Sequence, residues 1–517
     1  MDRYIVFKQR GTHADPLTAI GAADLLRHLE PRLVDAGDRF EVRLGRELSP
    51  SDLRGVDPGF AYLVRPKKGA VAETPEHIDR AGIATTLPTE NRMYAIVNRM
   101  RAYGGPNRLL SRFADMKCGE WERKIWDCLH GAETFVFHSP LVQLFDPQAA
   151  RGYGLLKPLG TCRDDRTKDR WGRPFEQWLR FRGYFEGAAG WFAQGDLRLF
   201  CPAPFDISYE RLVKVTEAFR QLRLGGTGAK MDCRAILGFT RILIESCRRK
   251  RRPREMVSGL WVTRYKDMGQ VHTVIGMDHL ALPNWMDLNT DQDAQRWLNM
   301  LEEHDIALRR LTDSHSEELE LLQQYRSTFQ ADRQEAVAAF VEFLANYGAL
   351  VFRRRSEDQW ALPQLSLKSV TEIFDSSPEC RVALEAAGFA AVAGAVRSAT
   401  FGAQGGRRRG DSHHREIRYG LLLDIRRAGY LGKHELLSVI SRFVSSFNRE
   451  SIRRRGMGVR GSEIREGEIA GFSRIVDQAP NANLVAALLC GVSSSRRGEI
   501  GVVKKVSKMV QTAVDSA

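Results

Sequence analysis

The sequence predicts an α+β protein, with a large mixed α/β region over residues 1–330 and a helical bundle over residues 331–517. Three observations predict it. Short apolar runs of strand length, punctuated by Gly and Pro, fall almost entirely in the first part. From Glu335 onward apolar residues recur at helical spacing in segments of roughly 12–18 residues with short connections, the pattern of an antiparallel bundle. The chain has 517 residues, 43% of them hydrophobic, which at ~100–200 residues per domain is more than one core holds.

The elements follow in order. Tyr4–Phe7 (YIVF), Arg39–Leu44 and Ala61–Val64 (AYLV) read as strands, and Leu17, Ile20, Leu25, Leu26 and Leu29 mark a helix with Asp15 or Thr18 as its cap. Sub-boundaries are expected near residues 90 and 255. Met93, Ile96, Val97 and Met100 form one helical stripe, and Trp121, Ile125, Trp126 and Leu129 another; Thr134–Phe137 reads as a strand. Strands are expected at Leu197–Phe200 and Leu260–Tyr265, the latter paired in a hairpin with Val271–Ile275, and helices at Tyr209–Leu222 and Ala235–Cys247. Trp297 to Tyr325 carries one or two long helices with acidic outer faces. In the bundle, Ala349–Phe352 is the one strand-like run, and Gly402–Gly410 and Arg453–Gly461 read as flexible links.

Charge is segregated. The chain carries 78 Lys and Arg against 64 Asp and Glu, a formal net charge of +14. Residues 1–90 are near balance at −1, 91–254 carry +14, 255–330 carry −7 and 331–517 carry +8. Two basic regions therefore flank an acidic one, and clustered cations of this kind point to a polyanion, because phosphates release condensed counterions on meeting Lys and Arg. The eight cysteines show no zinc-ligand or dithiol spacing. No run of ~18 apolar residues and no signal-like leader stand out, so a soluble cytoplasmic protein without a membrane partner is expected.

The densest basic run is Arg248, Arg249, Lys250, Arg251, Arg252, Pro253 and Arg254, at the end of an expected helix. Cations complement a helix C-terminus, but like charges this dense repel unless an anion neutralises them. The segment around Lys157, Arg163, Arg166, Lys168, Arg170 and Arg173 mixes guanidinium forks with hydroxyls and Trp171, as a loop tracking a sugar-phosphate strand would. Asp164, Asp165 and Asp169 equally allow a self-paired surface loop. Lys67 and Lys68 at a Pro/Gly turn join these on charge alone. Three triplets, Arg353–Arg355, Arg407–Arg409 and Arg453–Arg455, mark the bundle, with Arg496, Arg497, Lys504, Lys505 and Lys508 beyond them; a groove or rim for nucleic acid is expected there.

Enzyme signatures are weak. Leu224–Lys230 (LGGTGAK) lacks the four-residue gap of a phosphate loop and has Met231 where the metal-binding hydroxyl should stand. His304-Asp305 is the adjacent pair found in metal-dependent phosphohydrolases, with His272, His279 and His315 nearby in sequence, yet an acidic helix holding one His explains it as well. His413-His414 lacks companions. No catalytic residue, metal ligand or cofactor is therefore expected, and the alternative kept open is a metal-dependent nuclease or phosphohydrolase of a defence or repair system.

The segment Glu416–Asn448 (EIRYGLLLDIRRAGYLGKHELLSVISRFVSSFN), with the basic Arg449–Arg455 after it, is similar to the small-subunit-like C-terminal helices of the large subunit of type I CRISPR surveillance complexes (Cascade). The stretch Thr161–Phe185 also resembles that family. The resemblance implies a non-catalytic DNA- and RNA-binding subunit. Such a subunit recognises a short motif in duplex DNA, supports the unwound target and its displaced strand, and recruits a helicase-nuclease. Its partners would be a guide RNA, target DNA and the Cascade backbone subunits, with sequence reading left to guide pairing.

Overall fold

A computed structural model describes residues 1–9, 11–54, 56, 93, 96–97, 116, 119–132, 134–135, 144–147, 174–226, 228–246, 252–268, 272–285, 288–357, 362–408, 410, 414–459 and 462–497. The α+β class is as expected: antiparallel sheets and helices come first and helices alone follow. The chain divides into two compact units, Met1–Ala294 and Gln295–Ala517. The division falls ahead of the 330/331 boundary read from the sequence.

In the first unit, β1 (Arg3–Phe7), β2 (Arg32–Asp35), β3 (Arg39–Arg43) and β6 (Asp206–Ser208) form one antiparallel sheet in the order β1-β3-β2-β6. Strand β3 shows why: Phe40 and Val42 point into the core, while Arg43 on the opposite face donates to Glu41 at 2.9 Å. A second sheet orders β4 (Ala189–Ala193), β5 (Asp196–Pro204), β7 (Val257–Asp267) and β8 (His272–Ala281) as β4-β5-β7-β8. The expected β7–β8 hairpin is present with Leu260 opposite Leu280, and both strands run longer than their apolar runs.

Helix α1 (Ala14–Leu25) is buried along its whole length and packs on α3 (Pro174–Gly187). The two backbones meet at a glycine crossing. A Cβ on Gly21 would lie 1.8 Å from the Leu179 carbonyl oxygen, and one on Gly183 would lie 1.9 Å from that of Leu17. Such close approach buries polar groups, and these are paired internally. Arg182 meets Asp24 at 2.6 Å, Tyr209 Oη donates to Asp24 at 2.8 Å, and Arg180 meets Asp146 at 3.1 Å. Neither expected cap of α1 acts as one. Thr18 lies inside the helix and donates to the Ala14 carbonyl, and Asp15 in the first turn accepts from the Gly11 amide. Between these helices the Trp121 stripe forms α2 (Glu120–Leu129). Thr134 and Phe135 are not in a strand, the lone apolar run being too short to decide. The later helices of this unit are α4 (Tyr209–Arg220), α5 (Gly228–Ser246) and the single turn α6 (Pro253–Met256).

Helix α7 (Asp291–Arg310) leads into the second unit, followed by α8 (Ser316–Arg326), α9 (Arg333–Ser356), α10 (Leu367–Phe374), α11 (Pro378–Glu385), α12 (Ala387–Arg397) and α13 (Ala403–Arg408). A π-helical turn, Ser398–Gly402, joins α12 to α13. Then come α14 (Leu421–Leu431), α15 (Lys433–Gly456), α16 (Glu466–Gln478) and α17 (Ala482–Ser494). Helix α17 packs against α9, α12 and α14. Two expectations fail here. Ala349–Phe352 lies inside α9, with Leu350, Val351 and Phe352 buried, rather than in a strand, since a four-residue apolar run fits both. Much of the two links read as flexible is helix: Ala403–Arg408 continues past the π turn, and Arg453–Gly456 is the last turn of α15. Among the described residues α9 is long and apolar enough to cross a membrane, but most of its apolar window is buried inside this unit. The described cysteines, Cys128, Cys201, Cys233, Cys380 and Cys490, are buried thiols.

The α1–α3 crossing has no room for a methyl group. Gly21→Ala and Gly183→Ala are each expected to lower the unfolding free energy by ~1–3 kcal/mol or more, in urea denaturation of the full chain. Gly467→Ala, whose Cβ meets nothing within 4 Å, leaves it unchanged or slightly higher. Indistinguishable midpoints for all three variants would contradict this packing.

Candidate nucleic-acid interface

The candidate interface is built from the carboxyl ends of helices. The triplet Arg353–Arg355 closes α9, and Arg407 and Arg408 close α13, positions where cations offset the negative helix end. The first two arginines of the α9 triplet are tied to α8, Arg353 by Glu317 and Arg354 by the buried Glu318. Arg355 has no carboxylate partner among the described residues. Its guanidinium stands over the Phe401 ring at 5.8 Å, supplied by the π turn, and burial together with the neighbouring Arg408 lowers its pKa. Arg408 donates to the Arg355 carbonyl at 2.6 Å. The two triplets therefore converge.

A short strap, residues 414–420, carries the arrangement onward. Arg418 N donates to the Ala399 carbonyl at 2.9 Å, fixing the strap to the π turn. Tyr419 follows, 52% exposed, with its hydroxyl accepting from Arg407 at 3.1 Å and its ring 6.2 Å from Phe352, which in turn packs 5.1 Å from Phe401. At the other end of the strap Arg415 is buried over the Phe447 ring at 4.1 Å and donates to Ser451 at 2.8 Å. Arg415 is depressed in pKa chiefly by burial, and Arg454 of the third triplet lies near enough to contribute. Arg455 pairs with Glu463 at 2.8 Å, whereas Arg453 is exposed.

Beside Tyr419 an open groove of about 680 Å³ runs between α14 and α15. Tyr419, Arg418, Arg427 and Arg442 line it, together with Asp424 and Glu435. Arg427 and Arg442 are exposed and have no carboxylate partner among the described residues. Along α15 the groove residue Arg442 is continued by Arg449 and Arg453, seven and eleven positions on, which a period of 3.6 places on one face. The opposite face, Leu436, Ile440, Val444 and Phe447, is buried. The exposed cations span about 16 Å at 1.5 Å rise per residue.

Of the basic residues singled out in the sequence, Lys67, Lys68, Lys157, Arg163, Lys168, Arg170, Arg173, Arg248, Arg249, Lys250, Arg251 and Arg409 lie outside the described residues, as do Lys504, Lys505 and Lys508. Arg252 precedes α6, where its amide is accepted by Glu255 at 3.3 Å. Arg353, Arg354 and Arg455 are ion-paired within the fold, so the triplets offer fewer cations without a carboxylate partner than their length in sequence implies. Tyr419 and Arg442 stand singly and Arg427 only in the pair Arg426-Arg427, none of them in a triplet, so sequence reasoning misses them. The helical spacing of Arg442, Arg449 and Arg453 is the signal that could have found part of the face.

His304 and Asp305 point to different neighbours. The His304 ring is buried, stacked 5.3 Å from Phe340 and bonded through Nδ1 to Tyr325 Oη at 2.8 Å, while Asp305 pairs with Arg309 one turn on. Among the described residues no three His, Cys, Asp or Glu side chains are grouped to hold a metal ion. No protein-family model matches the chain, and no curated protein matches it either.

Burial holds the His304 pKa at about 3, from an ordinary 6.5. The unfolded chain therefore takes up a proton as pH falls below ~6.5, before the folded ring does, so the stability this ring contributes is whole above pH ~6.5 and drains away toward pH 3. Buried His13, lowered to about 4, acts in the same direction. His304→Gln, which keeps a polar partner for Tyr325, is expected to flatten the fall of urea midpoints between pH 6.5 and 4. Parallel curves for variant and wild type would rule out a neutral buried ring.

Proposed function

We propose that the second unit grips a single nucleic-acid strand, and that the chain is the non-catalytic large subunit of an RNA-guided type I CRISPR effector in the cytoplasm. The observation that carries the first part is Tyr419. Its half-exposed ring neighbours guanidinium groups lacking carboxylate partners among the described residues: Arg407 donates to its hydroxyl, Arg427 and Arg442 line the same groove, and Arg355 stands over Phe401, whose ring packs on the Phe352 that Tyr419 approaches. An aromatic face flanked by such cations is what a flexible strand needs: stacking for a base and neutralisation for its phosphates. The second part rests on the likeness of Glu416–Asn448, the segment that builds the strap, α14 and most of α15, to the C-terminal helices of Cascade large subunits. Within such a complex the strand would be the one displaced from the target duplex. The guide RNA and backbone subunits would hold the other strand, and a helicase-nuclease would do the cutting.

Fluorescence anisotropy of the full chain with a labelled single-stranded oligonucleotide, titrated across salt concentrations, tests the grip. Arg442→Ala and Arg453→Ala are each expected to reduce the log–log salt slope by about 0.7 for every phosphate left without its guanidinium. Tyr419→Ala is expected to weaken binding by ~1–3 kcal/mol while leaving the slope unchanged. Arg354→Ala, which strands the buried Glu318, lowers stability and not the slope. Salt-insensitive binding, or Arg variants with wild-type slopes, overturns the proposal. Co-purification of the chain with a guide RNA and further subunits tests the assembly.

A further inference from the structure

The groove beside Tyr419 contains two carboxylates that a simple phosphate track would exclude. Asp424, on the first turn of α14, and Glu435, on the first turn of α15, line the same cleft as Arg418, Arg427 and Arg442. Here Arg427 and Arg442 form no ion pair with either carboxylate, and Arg418 turns instead to Glu416 at 3.5 Å. Among the described residues Asp424 has no ion-pair partner, and Glu435 has only a 3.9 Å approach to the neighbouring, almost fully exposed His434. Anionic and cationic groups are thus set apart around an open space beside an aromatic ring.

A nucleotide has the matching polarity. Its phosphate is an anion for a guanidinium, its base has a face for a ring, and the base edge carries hydrogen-bond groups that differ between bases. A carboxylate is acceptor-only at neutral pH, so it bonds an exocyclic amine and is repelled by a carbonyl at the same position. Cytosine presents an amino group at C4 where thymine and uracil present an oxygen. The cations, in contrast, meet phosphates that are the same in every strand.

Resting on the proposed strand grip, we infer that Asp424 and Glu435 are specificity-determining residues that make the α14/α15 groove favour bases bearing an exocyclic amine, cytosine above thymine. The guanidiniums set how tightly a strand is held, and the carboxylates set which base sits in the cleft.

Two oligonucleotides, dC12 and dT12, test the effect, because they carry equal charge and both are pyrimidines; they differ at C4 and N3 and by the thymine C5-methyl, and dU12, which lacks that methyl, is expected to bind like dT12. Anisotropy at pH 7.5 and fixed salt with the full chain is expected to give about fivefold or greater preference for dC12, with equal salt slopes for the two strands. The double variant Asp424→Asn, Glu435→Gln raises affinity for both strands by removing negative charge, but its amides can donate to the thymine O4 and the preference falls to parity or reverses. Far-ultraviolet circular dichroism matched to wild type confirms that the variant is folded. Equal affinity of the wild type for the two strands, or a preference that survives the double variant, overturns the base selection and leaves the strand grip standing. Failure of the wild type to bind either strand overturns both.

Discussion

The second unit depends on how closely three helices approach α17. That helix, ANLVAALLCGVSS, is rich in small residues, and its neighbours place glycine or small side chains against it. A Cβ on Gly348 of α9 would stand 2.2 Å from Ser494 Oγ, one on Gly429 of α14 2.5 Å from the Ala486 Cβ, and one on Gly491 2.8 Å from Leu344. Interiors packed to crystal density transmit position well, because no void exists into which a helix can slip. Polar bonds fasten the same helix. Arg397, at the end of α12, caps the Val492 and Ser495 carbonyls, and Ser493 donates to the Ala393 carbonyl at 3.2 Å. Burial, with Arg497 nearby, lowers the Arg397 pKa to about 10, so this cap stays charged at neutral pH. The elements so fixed are those that end in Arg355, lead through the π turn to Arg407, and begin just after Tyr419. The placement of the cations is a consequence of glycine.

Runs of arginine do not by themselves report a ligand face, and the α9 triplet shows why. Three consecutive residues on a helix point in three directions about 100° apart. Arg353 and Arg354 reach Glu317 and Glu318 of α8, and only Arg355 turns toward the aromatic cluster. Arg455 likewise meets Glu463 while Arg453 stays exposed. Local charge density in sequence therefore locates helix ends and overcounts the cations left without a carboxylate partner among the described residues. The groove residues show the reverse error. Arg427 and Arg442 are unremarkable in sequence, and only the packing of α14 against α15 brings them to one cleft.

The fold itself was legible where periodicity is long. Helices such as α7 to α9 and α15 give several turns of consistent apolar spacing, and β3, β5 and the β7–β8 hairpin show strand-like patterning. Legibility failed where burial is complete. Every residue of α1 is buried, including Asp15, Thr18 and Asp24, so its polar residues resemble caps although they serve internal pairs. Strand β2 has four residues and β6 three, too few to declare themselves, and their pairing is a long-range event between residues near 33 and 207. The Ala349–Phe352 run misleads for a related reason. Within a mostly buried stretch of helix, four consecutive apolar residues do not show the spacing that separates helix from strand.

Unpaired opposite charges lining one groove need a physical reason to remain apart. At an exposed site an ion pair gains about 0–1 kcal/mol, little more than the side-chain entropy it costs, so hydration of separate charges competes well. Asp424 and Arg427 lie on the same helix three positions apart, a spacing at which side chains can meet, yet both are exposed and form no ion pair with each other. A ligand that satisfies both at once removes that hydration from cation and anion together, and the low-dielectric face of Tyr419 strengthens each new bond. Polyanions of uniform charge engage the arginines alone and leave the carboxylates repelled. On the proposed strand grip, this asymmetry would make the groove a discriminating surface: the carboxylates would weaken every strand somewhat, and weaken least the one whose bases offer them a donor.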